Sequence, residues 1–413
     1  MPDLRAWIAG LHLAVSLGFV SPASRAAADT SYDRPATKDD ASRPAHPGTA
    51  DSVAAASPAP GGTVHLGGAG KLQIGGFVKV DVIHDFDAIG NANEFKVNSI
   101  PVAGTPGADQ GPRTTIQARE SRIHLDYRTG GDLRVFIEGD FFGDNNTFRL
   151  RHAYGEAGHL LAGQTWSTFM DLSVRPLTVD FEGADGEVYI RQPLVRWTQS
   201  VAAHWLGELA VENPSPEFAV PSTLTGSARG AWPDVVAAIR YERARGHVRV
   251  AGVVREIRFD GEGGSPDQTD TGWGVNTTLG LKTFGPDELL AQFATGEGLG
   301  HYVEGLNGTN SDAAFDGAGT LTALGVQSFA LGYIRHWNAS LRSGVAYSTA
   351  RVDTDPAQGG QALERIQDAR ANLLAKRGHL EVGAEVLWGR REDADGARGE
   401  AWRTVLAFIY HID

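Results

Sequence analysis

The sequence predicts an all-β fold: a transmembrane antiparallel β-barrel of about 16 strands with an inward-folded third long loop. Three observations carry that reading. The first is the alternation between residues 133 and 169, where Leu133, Val135, Ile137, Gly139 and Phe141 fall on one face and Arg134, Phe136, Glu138 and Asp140 on the other. A helical step of 100° would scatter those charges, whereas a period of two gathers them. The second is the sorting of connections. Short turns at 128–132, 156–159, 244–246, 285–288 and 338–340 alternate with long polar loops at 87–114, 167–190, 213–233, 260–271 and 296–322. Short turns on one rim and long loops on the other belong to an outer-membrane barrel. The third is composition: 52 glycines, no cysteine, and no apolar run long enough for a spanning helix among 413 residues. The formal net charge of −13 argues against a nucleic-acid partner.

Taken in order, residues 1–28 read as a secretory signal: Arg5, an apolar run from Ala6 to Val20, then Ala26-Ala27-Ala28 as a small-residue cleavage site. Residues 29–65 are rich in Pro, Ala, Ser, Asp and Thr. Such a segment cannot bury enough surface to offset its ordering entropy, which predicts a disordered periplasmic leader. The barrel is expected over 66–413. Its strands are expected at 71–86, 115–127, 133–142, 148–155, 160–166, 191–199, 204–212 and 234–243. The second half adds 247–259, 272–283, 289–295, 325–337, 341–352, 363–375, 379–390 and 401–412. In such a barrel the apolar face meets lipid and the charged face a wet lumen, since an arginine toward the bilayer midplane costs about 2–4 kcal/mol.

Motifs for chemistry are few. Gly67-Gly68-Ala69-Gly70-Lys71 resembles a phosphate loop but has His65 where the first glycine belongs and Leu72 in place of the magnesium-binding hydroxyl. The acidic 260–270 loop has carboxylates for calcium but lacks the EF-hand order and reads as a solvated loop; with no HExxH, no GxSxG and no clustered ligands, no metal, cofactor or catalytic residue is expected. The 167–190 loop is different. It carries Phe169, Met170, Arg175, Pro176, Phe181 and Tyr189 beside Asp171, Asp180 and Glu182, apolar anchors that seek burial. The expected constriction residues on it are Phe169, Asp171, Arg175, Asp180 and Glu182.

Strand register sharpens the expected lumen. Pairing Phe141 with Phe148 sets Asp140 against Arg149 and Glu138 against Arg151; pairing Tyr127 with Leu133 brings Arg122 to Glu138. Two inward rows result, Arg122–Glu138–Arg151–Gln164 and Glu120–Asp140–Arg149–Trp166, with Lys79 and Arg134 on the same face. The same register sends His152, Gly163 and Thr165 outward, beside Leu150 and Tyr154, as a small patch suited to a subunit contact.

The segments IEGDFFG, RLRHAYGE, LLAGQTWSTFMD and RPLTVDFEG resemble the DcaP-like outer-membrane porins of Gram-negative bacteria. GFVKVDVIHDF, RESRIHLDY and IRQP fit the same pattern. The likeness is strong from about Lys71 to Thr198 and looser afterwards, through GLGHYVEG and RHWNASLRSG. That resemblance implies a homotrimer of sixteen-stranded barrels in contact with outer-membrane lipid, admitting small, mainly anionic solutes such as dicarboxylates. Some members carry an N-terminal coiled coil, but 29–65 shows no heptads. The expectation is therefore a passive channel with no enzymatic step. Its rivals are an outer-membrane barrel hydrolase and a secreted soluble β-protein that binds carbohydrate.

Overall fold

The computed structural model describes residues 63–66, 70–129 and 131–412. The expected signal at 1–28 lies outside the described residues, as does the expected leader except for its last three positions. Those begin a short strand, Thr63–Leu66, antiparallel to residues 70–73.

Among the described residues sixteen barrel strands form one closed antiparallel sheet. The first eight are β1 (Gly70–Asp85), β2 (Arg113–Gln117 continued as Arg122–Arg128), β3 (Leu133–Asp140), β4 (Arg149–Ala157), β5 (Leu160–Trp166), β6 (Arg191–Ala202), β7 (Trp205–Glu212) and β8 (Asp234–Arg243). The rest are β9 (Gly246–Gly261), β10 (Gln268–Lys282), β11 (Glu288–Glu297), β12 (Gly325–Asn338), β13 (Leu341–Val352), β14 (Leu363–Arg377), β15 (Leu380–Asp393) and β16 (Arg398–Ile412). Closure comes from β16 pairing with β1, from Gly76 opposite Ile412 to Asp85 opposite Arg403. Two long loops hold further strands: Gly226–Arg229 pairs with the outer end of β9, and Ala313–Phe315 with Leu321–Ala323 forms a small hairpin.

The alternation produces the expected two faces. Val195, Leu209, Val211, Val235, Ile239, Val248, Val250 and Val275 are exposed on the outside. Trp197, Trp205, Trp337 and Tyr410 border that belt toward the short turns, and Trp273 and Trp402 border it toward the long loops. Aromatic rings at both edges of an apolar band are what two membrane interfaces select.

The alternation breaks at two places, and both move side chains. Between Glu138 and Gly139 the β3–β4 register shifts, so that Glu138 stands opposite His152 and Gly139 opposite Leu150. Arg151 is the extra residue of this bulge. From there the faces exchange. His152, Tyr154 and Thr165 are buried inside, His152 Nδ1 bonds the Thr165 hydroxyl at 3.0 Å, and the expected outward patch does not exist. Gly163 pairs with Tyr154 on the same inner face. Gln164 leaves the expected inward row and caps the bulge, its amide donating to the Leu150 and Arg151 carbonyls at 3.2 Å each. The second break, at 118–121, interrupts β2. There the Ser121 hydroxyl accepts from the Lys79 amide and donates to the Ala118 carbonyl. Tyr127 pairs with Val135 rather than Leu133, so Arg122 stands opposite Asp140 and not Glu138.

The 167–190 loop lies inside the barrel, as its apolar anchors predict. Its backbone is held by the wall: Thr168 N donates to Glu212 at 2.7 Å, Val179 N and Asp180 N to Glu385 at 3.0 and 2.8 Å, and Gly186 N to Ser348 at 2.8 Å. The wall in turn makes room. A Cβ at Gly186 would sit 2.7 Å from the Phe329 carbonyl and from Thr349 N and O, a backbone contact that cannot yield. Gly186→Val is therefore expected to lift the loop and raise the size cutoff for sugars in liposome swelling, with the barrel still formed. An unchanged cutoff in a folded variant would show that the loop does not set the bore.

Candidate functional site

The loop is bonded to the inner wall at β7, β10, β13, β14 and β15. Between its Phe181–Tyr189 stretch and the wall of β2, β4, β5 and β6 is a cavity of about 210 Å³ with two unlike sides. One side is basic: Arg122 from β2, Arg149 and Arg151 from β4, and Arg191 from β6, with Trp166 at the end of β5. The other is supplied by three loops: Glu94 and Lys96 from 87–112, Phe181, Glu182 and Tyr189 from 167–190, and Glu304 and Asn307 from 298–324.

The arginines are held by the bulge and its neighbours. Arg149 makes a two-pronged contact with Asp140 at 3.0 and 2.8 Å, and Arg151 reaches Glu138 at 2.9 Å and Asp140 at 3.1 Å. Such forked contacts fix the guanidinium plane. Arg122 lies 3.8 Å from Glu120 and over the Phe181 ring at 4.9 Å. Arg191 covers Trp166 at 4.6 Å, and Trp166 packs on Tyr189 with centroids 4.5 Å apart. The result is an aromatic shelf edged by cations.

On the opposite side three carboxylates share one ammonium. Lys96 Nζ is 2.6 Å from Glu182 and 3.6 Å from Glu94. Burial and the neighbouring Glu182 charge push Glu94 up to about 9, and the same two causes carry Glu304 well above the usual carboxylate range. Burial works against ionising Glu182 too, but Lys96 and hydrogen bonds with Glu304 and Glu94 bring it down to about 2. On this side the ionised form therefore concentrates on Glu182, beside Lys96.

The sequence-derived residues divide into three sets. Arg122, Arg149, Arg151, Trp166 and Glu182 line the cavity; Glu138 and Asp140 hold its arginines from behind. Phe169, Asp171, Arg175 and Asp180 do not face the passage but anchor the loop. Asp171 accepts from Thr278, contacts His247 and lies 3.3 Å from Arg240; despite burial, His247, Arg249 and Arg240 hold it well below the usual carboxylate range. Arg175 lies over Tyr189 and bonds Glu187, while the Asp180 carboxylate accepts from the Phe95 amide. Lys79 is inward but closed off by Asp81 and the Phe181 ring, and Arg134 sits near the 129–132 turn, bonded to Asp126 and Tyr154. Sequence reasoning missed Glu94, Lys96, Arg191 and Glu304. The signal for the first two was present: Phe95, Val97, Ile100 and Val102 are apolar anchors in a long polar loop, and all are buried.

A closed antiparallel barrel with an apolar outer belt, an internal loop and a charged narrow passage is an outer-membrane porin. The chain belongs to the DcaP outer membrane protein family, whose model it matches over residues 66–411. The outer membrane channel DcaP of Acinetobacter baumannii is similar at 24% identity and TM-score 0.72, over 83% of this chain and 97% of that one. An anion-selective porin from Comamonas acidovorans is similar at 10% identity and TM-score 0.53, over 83% and 99%. A loop-deletion form of OmpT from Vibrio cholerae is similar at 14% and 0.52, over 83% and 99%. At these identities the likeness is one of fold. Among curated proteins nothing matches. The outer-membrane location removes the soluble carbohydrate-binding alternative.

The shared-proton cluster sets a pH dependence. Glu94 is neutral below about 9 and gains charge above it, so alkaline pH adds negative charge to the passage. In planar bilayers under a salt gradient, the zero-current potential should move toward cation preference between pH 7 and 10. Glu94→Gln should flatten that change. A parent channel with constant selectivity over this range would show that the cluster does not act on passing ions.

Proposed function

We propose that this porin passes small anions, dicarboxylates foremost, by diffusion through the constriction between the arginine wall and the 167–190 loop. The observation that carries the reading is the basic side of the passage, where Arg122, Arg149, Arg151 and Arg191 converge on one cavity. Fixed positive charge within about one Debye length, ~8 Å at physiological salt, raises the local concentration of anions before any binding occurs. The net charge of −13 is no objection, because charges farther away are screened. Forked guanidinium groups suit carboxylates in particular, since two parallel N–H donors match the two carboxylate oxygens. A dicarboxylate would span two of the converging guanidinium groups, in line with the solutes that the family resemblance implies. Passage has no enzymatic step and needs no cofactor in this reading.

Arg149→Gln with Arg191→Gln tests it without placing new carboxylates beside Asp140. The parent should prefer chloride over sodium and succinate over a neutral solute of equal size, and the double variant should lose most of both preferences. A parent that prefers cations, or a variant indistinguishable from it, overturns the reading.

We also propose a homotrimer, now through the corrected outer face. Strands β3, β4 and β5 are only 8, 9 and 7 residues long, against 16 and 15 for β9 and β10. On their outside Gly155 pairs with Ala162, next to Ala153 paired with Gln164. A low wall of small residues permits close approach of a second barrel. Ala162→Trp should weaken the oligomer in unheated gel migration; a variant as robust as the parent places that face against lipid.

A further inference from the structure

β2 stands taller than the strand beside it. Its lower half, Arg122–Arg128, pairs on both sides, with β1 and with β3. Its upper half, Arg113–Gln117, pairs with β1 alone. β3 ends at Asp140, opposite Arg122, and β4 begins only at Arg149, so the wall above them is notched. One edge of 113–117 borders that notch.

The parity of the ladder shows which groups are left there. Phe86 N donates to the Trp402 carbonyl and so points to β16, whereas Lys79 N donates to the Ser121 hydroxyl and so points to β2. Backbone groups alternate in direction along an antiparallel strand. Asp81, Ile83 and Asp85 therefore turn theirs toward Gln117, Thr115 and Arg113. The N–H and C=O groups of Thr114 and Ile116 point the other way, into the notch. Among the described residues they meet no backbone partner there. Ile116 is 69% exposed, more than any other large apolar side chain on the described barrel strands.

The height of this edge makes it costly. Val82 and Leu406 continue the row from Ile116 across the outer face. Trp402, which borders the apolar belt, lies farther along β16 toward the long loops. The open edge is thus on the membrane side of Trp402, where lipid neither donates nor accepts and free sheet edges are not tolerated.

We infer that a second copy of this chain seats in the notch above β3 and β4 and supplies partners to the Thr114 and Ile116 backbone. The notch stands over the low wall of small outward residues, so one approaching barrel covers both. Only the number of copies rests on the trimer reading. In a closed three-fold ring the neighbour presents a different segment to this edge, because an edge meets its own counterpart only across a two-fold axis.

Hydrogen exchange at single amides of the full chain in detergent reads the edge directly. In the assembled protein Thr114 and Ile116 should be protected as Thr115 is, whose partner lies within the chain. After dissociation in the same detergent those two should exchange about a hundredfold faster while Thr115 stays protected. Free exchange at Thr114 and Ile116 in the assembled protein would overturn the inference, and so would protection that survives dissociation. Ile116→Pro removes one notch-facing N–H and leaves the Thr115 ladder intact, a place where an edge strand tolerates proline. The barrel should still form, and assembly should weaken by about tenfold. Ile116→Ala keeps the N–H and should cost less; equal losses would reduce the contact to side-chain packing and defeat the pairing. Light scattering of the parent separates the two readings. A dimer with protected amides would defeat the trimer and uphold the contact, whereas a monomer with open amides would defeat both.

Discussion

Every backbone N–H and C=O in a spanning protein must find a partner, because lipid offers none. Closure of β16 on β1 meets that demand for the wall. It also creates a harder version of the same demand inside, where a loop of two dozen residues lies against a sheet whose own ladder bonds are complete. Side chains of the wall supply the missing acceptors. Glu212 takes the Thr168 amide, Glu385 takes two consecutive amides at Val179 and Asp180, and Asp368 takes the Asp185 amide at 3.2 Å. Asn276 and Asn372 supply donors to the Phe169 and Leu177 carbonyls. Charged acceptors make stronger hydrogen bonds than neutral ones, so these few contacts fix the loop along half the circumference.

The anchoring decides which charges remain for passing ions. Asp171 and Asp180 are the carboxylates most conspicuous in the loop sequence, and both are spent on holding it. Across the passage the arginines sit on strands, where a rigid scaffold orients them better than a loop would. The acidic side is assembled from three separate loops around Lys96, where burial and the Glu182 charge push Glu94 and Glu304 upward while Lys96 holds Glu182 down.

The barrel was legible because period two and the sorting of loop lengths are local signals. The inward loop was legible because Phe169 and Phe181 are costly to expose. The pairing of Asp140 with Arg149 was also legible, and Phe141 does meet Phe148, with ring centroids 5.8 Å apart. Beyond Arg151 the reading failed for a physical reason. A bulge adds one residue to a strand without altering its composition, and RLRHAY alternates as well through the wrong register as through the right one. The register of β2 on β3 was missed at the turn: the strand continues through Arg128, which pairs with Arg134 where a 128–132 turn was expected. Arg191 and Glu304 were missed because only the folded chain brings β6 and 298–324 to this site, whereas the 87–112 loop announced itself through Phe95 and Val97.

Those failures coincide with the site. In a regular strand Arg151 and His152 would point to opposite faces; the bulge turns both inward, which puts Arg151 between Glu138 and Asp140 and sends His152 to pack on Trp166 at 5.4 Å. The break in β2 lies beside the same Asp140, through Arg122 across the ladder. Each irregularity leaves backbone groups without ladder partners, and each is repaired by a nearby polar side chain: Gln164 for the Leu150 and Arg151 carbonyls, Ser121 for the Lys79 amide. An unrepaired carbonyl at this height would face lipid on one side and a guanidinium-crowded wall on the other. The polar residues that look out of place on the apolar face are therefore what permits a dense arginine cluster inside. Gln164, a half-buried amide among small outward residues, marks the place of the arginine cluster from the outer face.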